Sequence, residues 1–201
     1  MDRVFSEAAD LGVSFVLIAG GEPFMRQDVI EAAGNHPEMI FPIFTNGTML
    51  DDEYLSLFDE KRNLIPVISI EGGAVETDMR RGSGTHEKTL SAMAELDSRN
   101  ILFGASITVT RENRNVVVAQ SFLSELQAKG CGVAIFVEYV PTEVHTEHLT
   151  LTDDDLKTYE SKMNALRAKN KDMVILSFPG DEEAMGGCLA SGRGFFNINP
   201  K

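Results

Sequence analysis

"FVLIAGGEPF", residues Phe15 to Phe24, decides how this chain folds. Five apolar residues run into Gly20, Gly21, Glu22 and Pro23. A short apolar run bounded by glycine reads as a strand buried on both faces. Paired glycines at its end suit a place where another group approaches the backbone closely. A carboxylate and a proline then follow, and proline cannot continue a hydrogen-bonded ladder.

Comparable runs recur outward from this stretch, at Ile40–Thr45, Leu64–Ile70, Phe103–Val109, Val133–Val140 and Met173–Phe178. Amphipathic stretches separate them. "RQDVIEAAGNH" puts Val29, Ile30 and Ala33 on one side, and "DDEYLSLFDEK" opens on an acidic cap and carries Leu55 and Phe58 on one face. "HEKTLSAMAELDSRN" groups Leu90, Met93, Ala94 and Leu96, and "NVVVAQSFLSELQAKG" reads as one helix ending at a glycine. "TDDDLKTYESKMNALRAKN" begins with Thr152 as cap, and "VFSEAADLG" reads as a helix feeding the first strand. Regular alternation of strand and helix implies a parallel sheet with right-handed crossovers. An open doubly wound sheet and a barrel both satisfy the pattern.

Among 201 residues, 18 are Lys or Arg and 31 are Asp or Glu, a net charge of −13. That balance disfavours nucleic acid or an anionic membrane as a partner. No apolar run reaches the ~18 residues of a membrane span. The first ten residues, "MDRVFSEAAD", carry no apolar signal core. Two cysteines, Cys131 and Cys188, make no disulfide framework, so a reducing cytoplasm is the expected compartment.

Parallel α/β folds bind ligands at the C-terminal ends of their strands. The unusual residues collect there: Gly20-Gly21-Glu22-Pro23, then Thr45-Asn46-Gly47-Thr48, then Ser69 and Glu71-Gly72-Gly73. Ser106, Thr108, Thr110 and Asn113 follow on the fourth strand, and Glu138 with Val140-Pro141 on the fifth. Each motif alone could be a turn; together they mark one rim. His145 and His148, in "HTEH", have a spacing that one helical turn could bring to a metal, but no apolar periodicity supports a helix there, and the stretch reads as a loop. "FPGDEEAMGG" reads as a solvated acidic loop.

"AGGEP", "TNG", "SIEG", "RRGSGTHEKTL" and "SITVT" followed by "EN" resemble the radical S-adenosylmethionine superfamily, nearest to members with a SPASM or twitch extension. The resemblance covers about residues 5 to 142, with an echo at "GGCLASGRGFFNINP". It implies an α/β fold of the partial (βα)6 barrel type, incomplete at its N-terminus, over residues 1–178. A cysteine-containing extension would begin at 179–201. It implies that Glu22 with the backbone of Gly20 and Gly21 holds the ammonium of S-adenosylmethionine, with Pro23 stiffening the turn. Ser69 would contact the cofactor, Arg81 (or Arg80 beside it) would grip its carboxylate, and Val140 would meet the adenine. Asn46 and Thr108 would line the pocket.

The family's CxxxCxxC loop, whose thiolates ligate a 4Fe-4S cluster, is absent from this sequence. Cys131 lies at a strand start, away from the rim, and Cys188 resembles the first ligand of an auxiliary cluster. The resemblance therefore implies an internal piece of a longer enzyme, one that cleaves S-adenosylmethionine reductively and abstracts hydrogen from a substrate, by analogy a peptide or protein. The piece itself would lack the cluster and its activity. The exposed Phe15–Ala19 edge would invite self-association. Two other classes stay open: a noncatalytic barrel binding a nucleoside-like ligand or a partner protein, and a metal-free barrel lyase or isomerase.

Overall fold

The computed structural model describes residues 1–141, 144–184, 187 and 198. Its centre is a five-stranded, wholly parallel sheet in sequential order, β1 Phe41–Thr45, β2 Leu64–Ser69, β3 Gly104–Val109, β4 Val133–Glu138 and β5 Val174–Phe178. The helices are α1 Asp2–Asp10, α2 Gln27–Gly34, α3 Asp52–Glu60, α4 Ala74–Arg81, α5 Thr85–Ser98, α6 Arg114–Val117, α7 Gln120–Ala128, α8 Asp153–Lys169 and α9 Gly180–Ala184.

The Phe15–Ala19 run forms an edge to this sheet, though not a continuous strand. It bridges β1 in parallel at Phe15–Ile40 and Ile18–Ile43. Ile40 N donates to Ser14 O, Val16 N to Ile40 O, Ile18 N to Pro42 O and Phe44 N to Ile18 O. A regular parallel ladder would add one rung between these, from the N–H of residue 42 to Val16 O. Residue 42 is proline, which has no N–H to give.

The helices pack on one face of the sheet. Phe41 and Ile43, Leu64, Ile68 and Ile70, Ala105, Ile107 and Val109, and Ala134, Phe136 and Ile175 share one apolar core with Phe5, Ile30, Phe58, Met93, Leu123 and Met163 from the helices. Side chains alternate along a strand, so the residues between them face the other way. Val67 and Ile135 are buried yet stand outside the helix-side core. On the same alternate positions Phe15, Leu17, Ile40, Leu102, Val137 and Val174 are exposed. This second face carries no helix among the described residues.

Local chemistry explains some element ends. Asp51 caps α3 by accepting from Glu53 N and Tyr54 N. Thr152 and Asp155 form a reciprocal capping box on α8. In α5 the buried positions are Thr89, Ala92, Met93 and Leu96, with Ala92 where Ala94 was expected. The stretch after Asn113 is two helices, α6 and α7, broken at Val118-Ala119, instead of one. "GDEE" is α9 and not a loop: Asp181 accepts from Ser177 N and pairs both its oxygens with Arg167 Nη2 at 2.8 Å. Beyond α9 the expected C-terminal extension, Cys188 included, lies outside the described residues apart from Gly187 and Ile198.

Candidate functional site

Glu22 sits where the edge segment leaves β1. The chain turns away at Gly20, whose φ of +130° only glycine adopts readily. A continued ladder would take Asn46 N to the carbonyl of residue 20. Instead Glu22 Oε2 accepts from Asn46 N at 3.0 Å, and Oε1 accepts from Thr45 Oγ1 at 2.7 Å and Phe24 N at 3.1 Å. Glu22 thereby caps the short 3-10 turn Pro23–Met25, which buries Pro23 and Phe24. Phe24 stacks on Tyr54 of α3 with ring centroids 4.4 Å apart.

Glu71 repeats this device between β2 and β3. Ile70 N still donates to Ser106 O, and the next rung would bring Thr108 N to Ile70 O. Glu71 Oε2 takes that proton donor instead, at 3.1 Å. The chain then turns at Gly72, also at φ +130°. Glu71 is 1% exposed, and its Oε1 faces Arg81 Nη2 at 2.6 Å and Arg80 Nε at 3.4 Å. Burial pushes the Glu71 carboxyl up, and the two arginines offset part of that rise. Asn113 Nδ2 bridges Glu71 O and Thr108 O, while its Oδ1 accepts from Thr110 N.

Several expected residues come together on this rim. Ser69 pairs in register with Ser106, so the two hydroxyl-bearing strand ends are neighbours. Thr108 pairs with Val137 on the face without helices. Asn46 contributes its N–H to Glu22, and its Oδ1 accepts from Thr48 N and Oγ1, forming an Asx turn. Arg81 is tied to Glu71. Val140 is exposed just beyond β4, where Tyr139 N donates to Val109 O. Gly20 and Gly21 have open space where a Cβ would stand. Glu138 is half-buried at the end of β4, where burial pushes its carboxyl up. Glu71 as the anchor of two arginines was not anticipated; Arg80-Arg81 spaced nine and ten residues after it is the signal that could have shown it.

The remaining candidates lie elsewhere. Cys131 is buried at the foot of β4, donates to Val133 O at 3.2 Å, and has its thiol pushed up to about 11 by burial. His148 Nδ1 meets the His145 carbonyl at 3.0 Å within the 3-10 turn Glu147–Leu149, so "HTEH" is a turn held by its own backbone. No group of three or more His, Cys, Asp or Glu suited to a metal occurs among the described residues. A cleft of about 530 Å³ lined by Gly34, Asn35, Pro37 and Glu60–Asn63 opens at the opposite end of the strands.

A model of the Radical SAM superfamily matches residues 1–117, and the chain belongs to this family. The chain is 32% identical over 111 residues to an AdoMet-dependent heme synthase of Methanosarcina barkeri, covering 53% of this chain and 32% of that protein. It is 24% identical over 212 residues to a PqqA peptide cyclase of Granulibacter bethesdensis, covering 98% of this chain and 55% of that protein. The chain thus spans between about a third and about half of these relatives' length. The crystal structure of Streptococcus suis SuiB superposes with a TM-score of 0.74 at 14% identity, over 88% of this chain and 42% of that one. Native anSMEcpe with bound AdoMet gives 0.65 at 18% identity, over 90% and 53%. These likenesses show the fold, a partial barrel of parallel strands. No helix among the described residues is long and apolar enough to cross a membrane.

Proposed function

We propose that the rim formed by Gly20, Gly21, Glu22, Pro23, Asn46, Ser69, the Arg80–Arg81 pair, Thr108 and Val140 binds S-adenosylmethionine. The observation that carries this reading is the pair of carboxylate-spliced strand ends, one acidic and one cationic on balance, flanking the Ser69–Ser106 pair. A carboxylate has about four acceptor sites. Glu22 uses three of them on Phe24, Thr45 and Asn46, leaving one for an ammonium. The open space at Gly20 and Gly21 admits that ammonium to the backbone. Two guanidiniums against one Glu71 carboxylate leave a positive charge for the ligand's own carboxylate. Both charged ends of an amino-acid moiety therefore find counterparts.

Bound there, S-adenosylmethionine supplies a sulfonium for one-electron chemistry. The protein's residues orient its zwitterionic tail and fix its nucleoside against β4. The only described thiol, Cys131, is buried, protonated at neutral pH and at the wrong end of the strands. The described residues do not fit a 4Fe-4S cluster, and no step is assigned to one. A peptide substrate for the whole protein is supported by the PqqA peptide cyclase relative and by the likeness to SuiB bound to its precursor peptide. A SPASM-like extension and a cytoplasmic setting belong to the same proposal.

Isothermal calorimetry tests the cofactor reading. Wild-type protein should bind S-adenosylmethionine with one site, and Gly20→Val should weaken binding at least tenfold by filling the open backbone. Absence of heat with the wild type would refute it.

A further inference from the structure

A cleft of about 140 Å³ opens in the helix layer, between α6 and α8. Asp155, Thr158, Tyr159 and Lys162 line it from α8, at the spacing that puts four side chains on one helical face. Arg114 and Asn115 line it from α6. The one carboxylate here is already taken up. Asp155 Oδ2 accepts from Thr152 N at 3.1 Å and Thr152 Oγ1 at 2.8 Å, and faces Arg111 Nε at 3.4 Å. Its Oδ1 faces Arg114 Nε at 3.0 Å. The hydroxyls are occupied too, Tyr159 with Ser177 Oγ at 2.9 Å and Thr158 with Asp154 O at 3.0 Å.

The nitrogen donors are not. Arg114 gives Nη1 to the Arg111 carbonyl, and its Nη2 has no partner among the described residues. Lys162 has no carboxylate beside it: Nζ donates only to Asn115 Oδ1, at 3.3 Å. An ammonium has three N–H bonds to give, and Asn115 Nδ2 is unpartnered as well. Arg111, Arg114 and Lys162 against Asp155 leave two surplus positive charges at this cleft, in a chain whose net charge is −13. Lys157, earlier on the same helix, is by contrast neutralised by Asp154 at 3.3 Å. Three separate nitrogen donors around one hollow suit an oxyanion with three or four oxygens better than a planar carboxylate with two. A water takes about 30 Å³, so the cleft has room for the five heavy atoms of a phosphate.

We propose that this cleft is a phosphate-binding site, in which Arg114 Nη2, Asn115 Nδ2 and Lys162 Nζ bond the oxyanion, either as free phosphate or as the terminal group of a phosphate monoester. The site is independent of the strand-end rim and of the ligand proposed there.

Calorimetry at low, constant ionic strength tests it, because salt screens such a site. The probes are inorganic phosphate, glycerol 3-phosphate and acetate. Wild-type protein should bind phosphate at one site, and acetate at least tenfold more weakly. Lys162→Gln should weaken phosphate binding about tenfold or more, the size of one charge-assisted contact. Lys157→Gln removes the same charge from the same helix and should leave the affinity within about twofold. Asn115→Asp should abolish binding without lowering the melting temperature, because the new carboxylate pairs with Lys162. Tighter binding of glycerol 3-phosphate than of phosphate identifies an esterified phosphate as the group the site takes; equal or weaker binding identifies the free ion. Equal losses in the two lysine variants, phosphate bound no better than acetate, or no heat from the wild type would each overturn the site.

Discussion

His36 holds both of its ring nitrogens against carboxylates, Nδ1 at 3.0 Å from Glu38 Oε1 and Nε2 at 3.0 Å from Asp2 Oδ1. A neutral imidazole donates from one nitrogen only, so this arrangement calls for the cation. The ring is 8% exposed and meets Phe5 of α1 edge-on at 5.7 Å. Burial alone would lower its pKa, but the bonds to Glu38 and Asp2 outweigh that, and the folded value lies above 6.5. A folded pKa raised above the unfolded one gives stability that is fully present below the unfolded pKa. That stability is lost as pH rises through the folded value. The melting temperature of the wild type should therefore fall, relative to His36→Asn, between roughly pH 6 and pH 8. Parallel melting curves for the two proteins across that range would disprove the imidazolium staple. None of this was legible beforehand, because Asp2 is 34 residues from His36 in sequence.

At the scale of elements, both glutamate motifs act through the ladder they interrupt. Glu22 and Glu71 each accept an N–H that a continuing strand would have bonded, so strand ends can part without stranding a donor. The presence of a carboxylate beside paired glycines was plain in the sequence; its job as a substitute rung was not, since it depends on which N–H lies opposite. Pro42 acts in the reverse sense, by withholding a donor. In Pro42→Ala, the new amide should bond to Val16 O and become protected against hydrogen exchange to a degree similar to Phe44. An amide at residue 42 that exchanges like an exposed loop would show that the edge does not pair as described. Helices with an internal cap were predictable: Asp51 and Thr152 act within three residues of themselves. The helix α4 was not, because its sequence is mostly polar: Val75 and Met79 are exposed and Thr77 is the one residue it buries.

Across the described residues, the sheet has one helix-packed face and one face without helices, where Val67 and Ile135 are buried but Leu102, Val137 and Val174 are exposed. Phe15, Leu17 and Ile40 extend this surface to the edge of the sheet. An exposed edge with apolar side chains and no charged gatekeeper favours pairing with another chain. We expect concentration-dependent association that Leu17→Lys suppresses, read by sedimentation velocity over a hundredfold range of concentration. A wild type that remains monomeric throughout would remove the edge as an association surface.

Alternation of apolar and amphipathic runs settled the parallel α/β class, and glycine, serine and carboxylate residues at strand ends located the rim. These signals are local: periodicity and turn chemistry act over a few residues. Which side chains meet across the rim was decided by tertiary structure. Glu22 reaches Asn46 across 24 residues and Glu71 reaches Thr108 across 37, distances over which sequence carries no pairing information until parallel register brings the backbones together. The same register set Arg81 on Glu71 and left Arg80 over Tyr139, a division between two adjacent arginines that only packing could make.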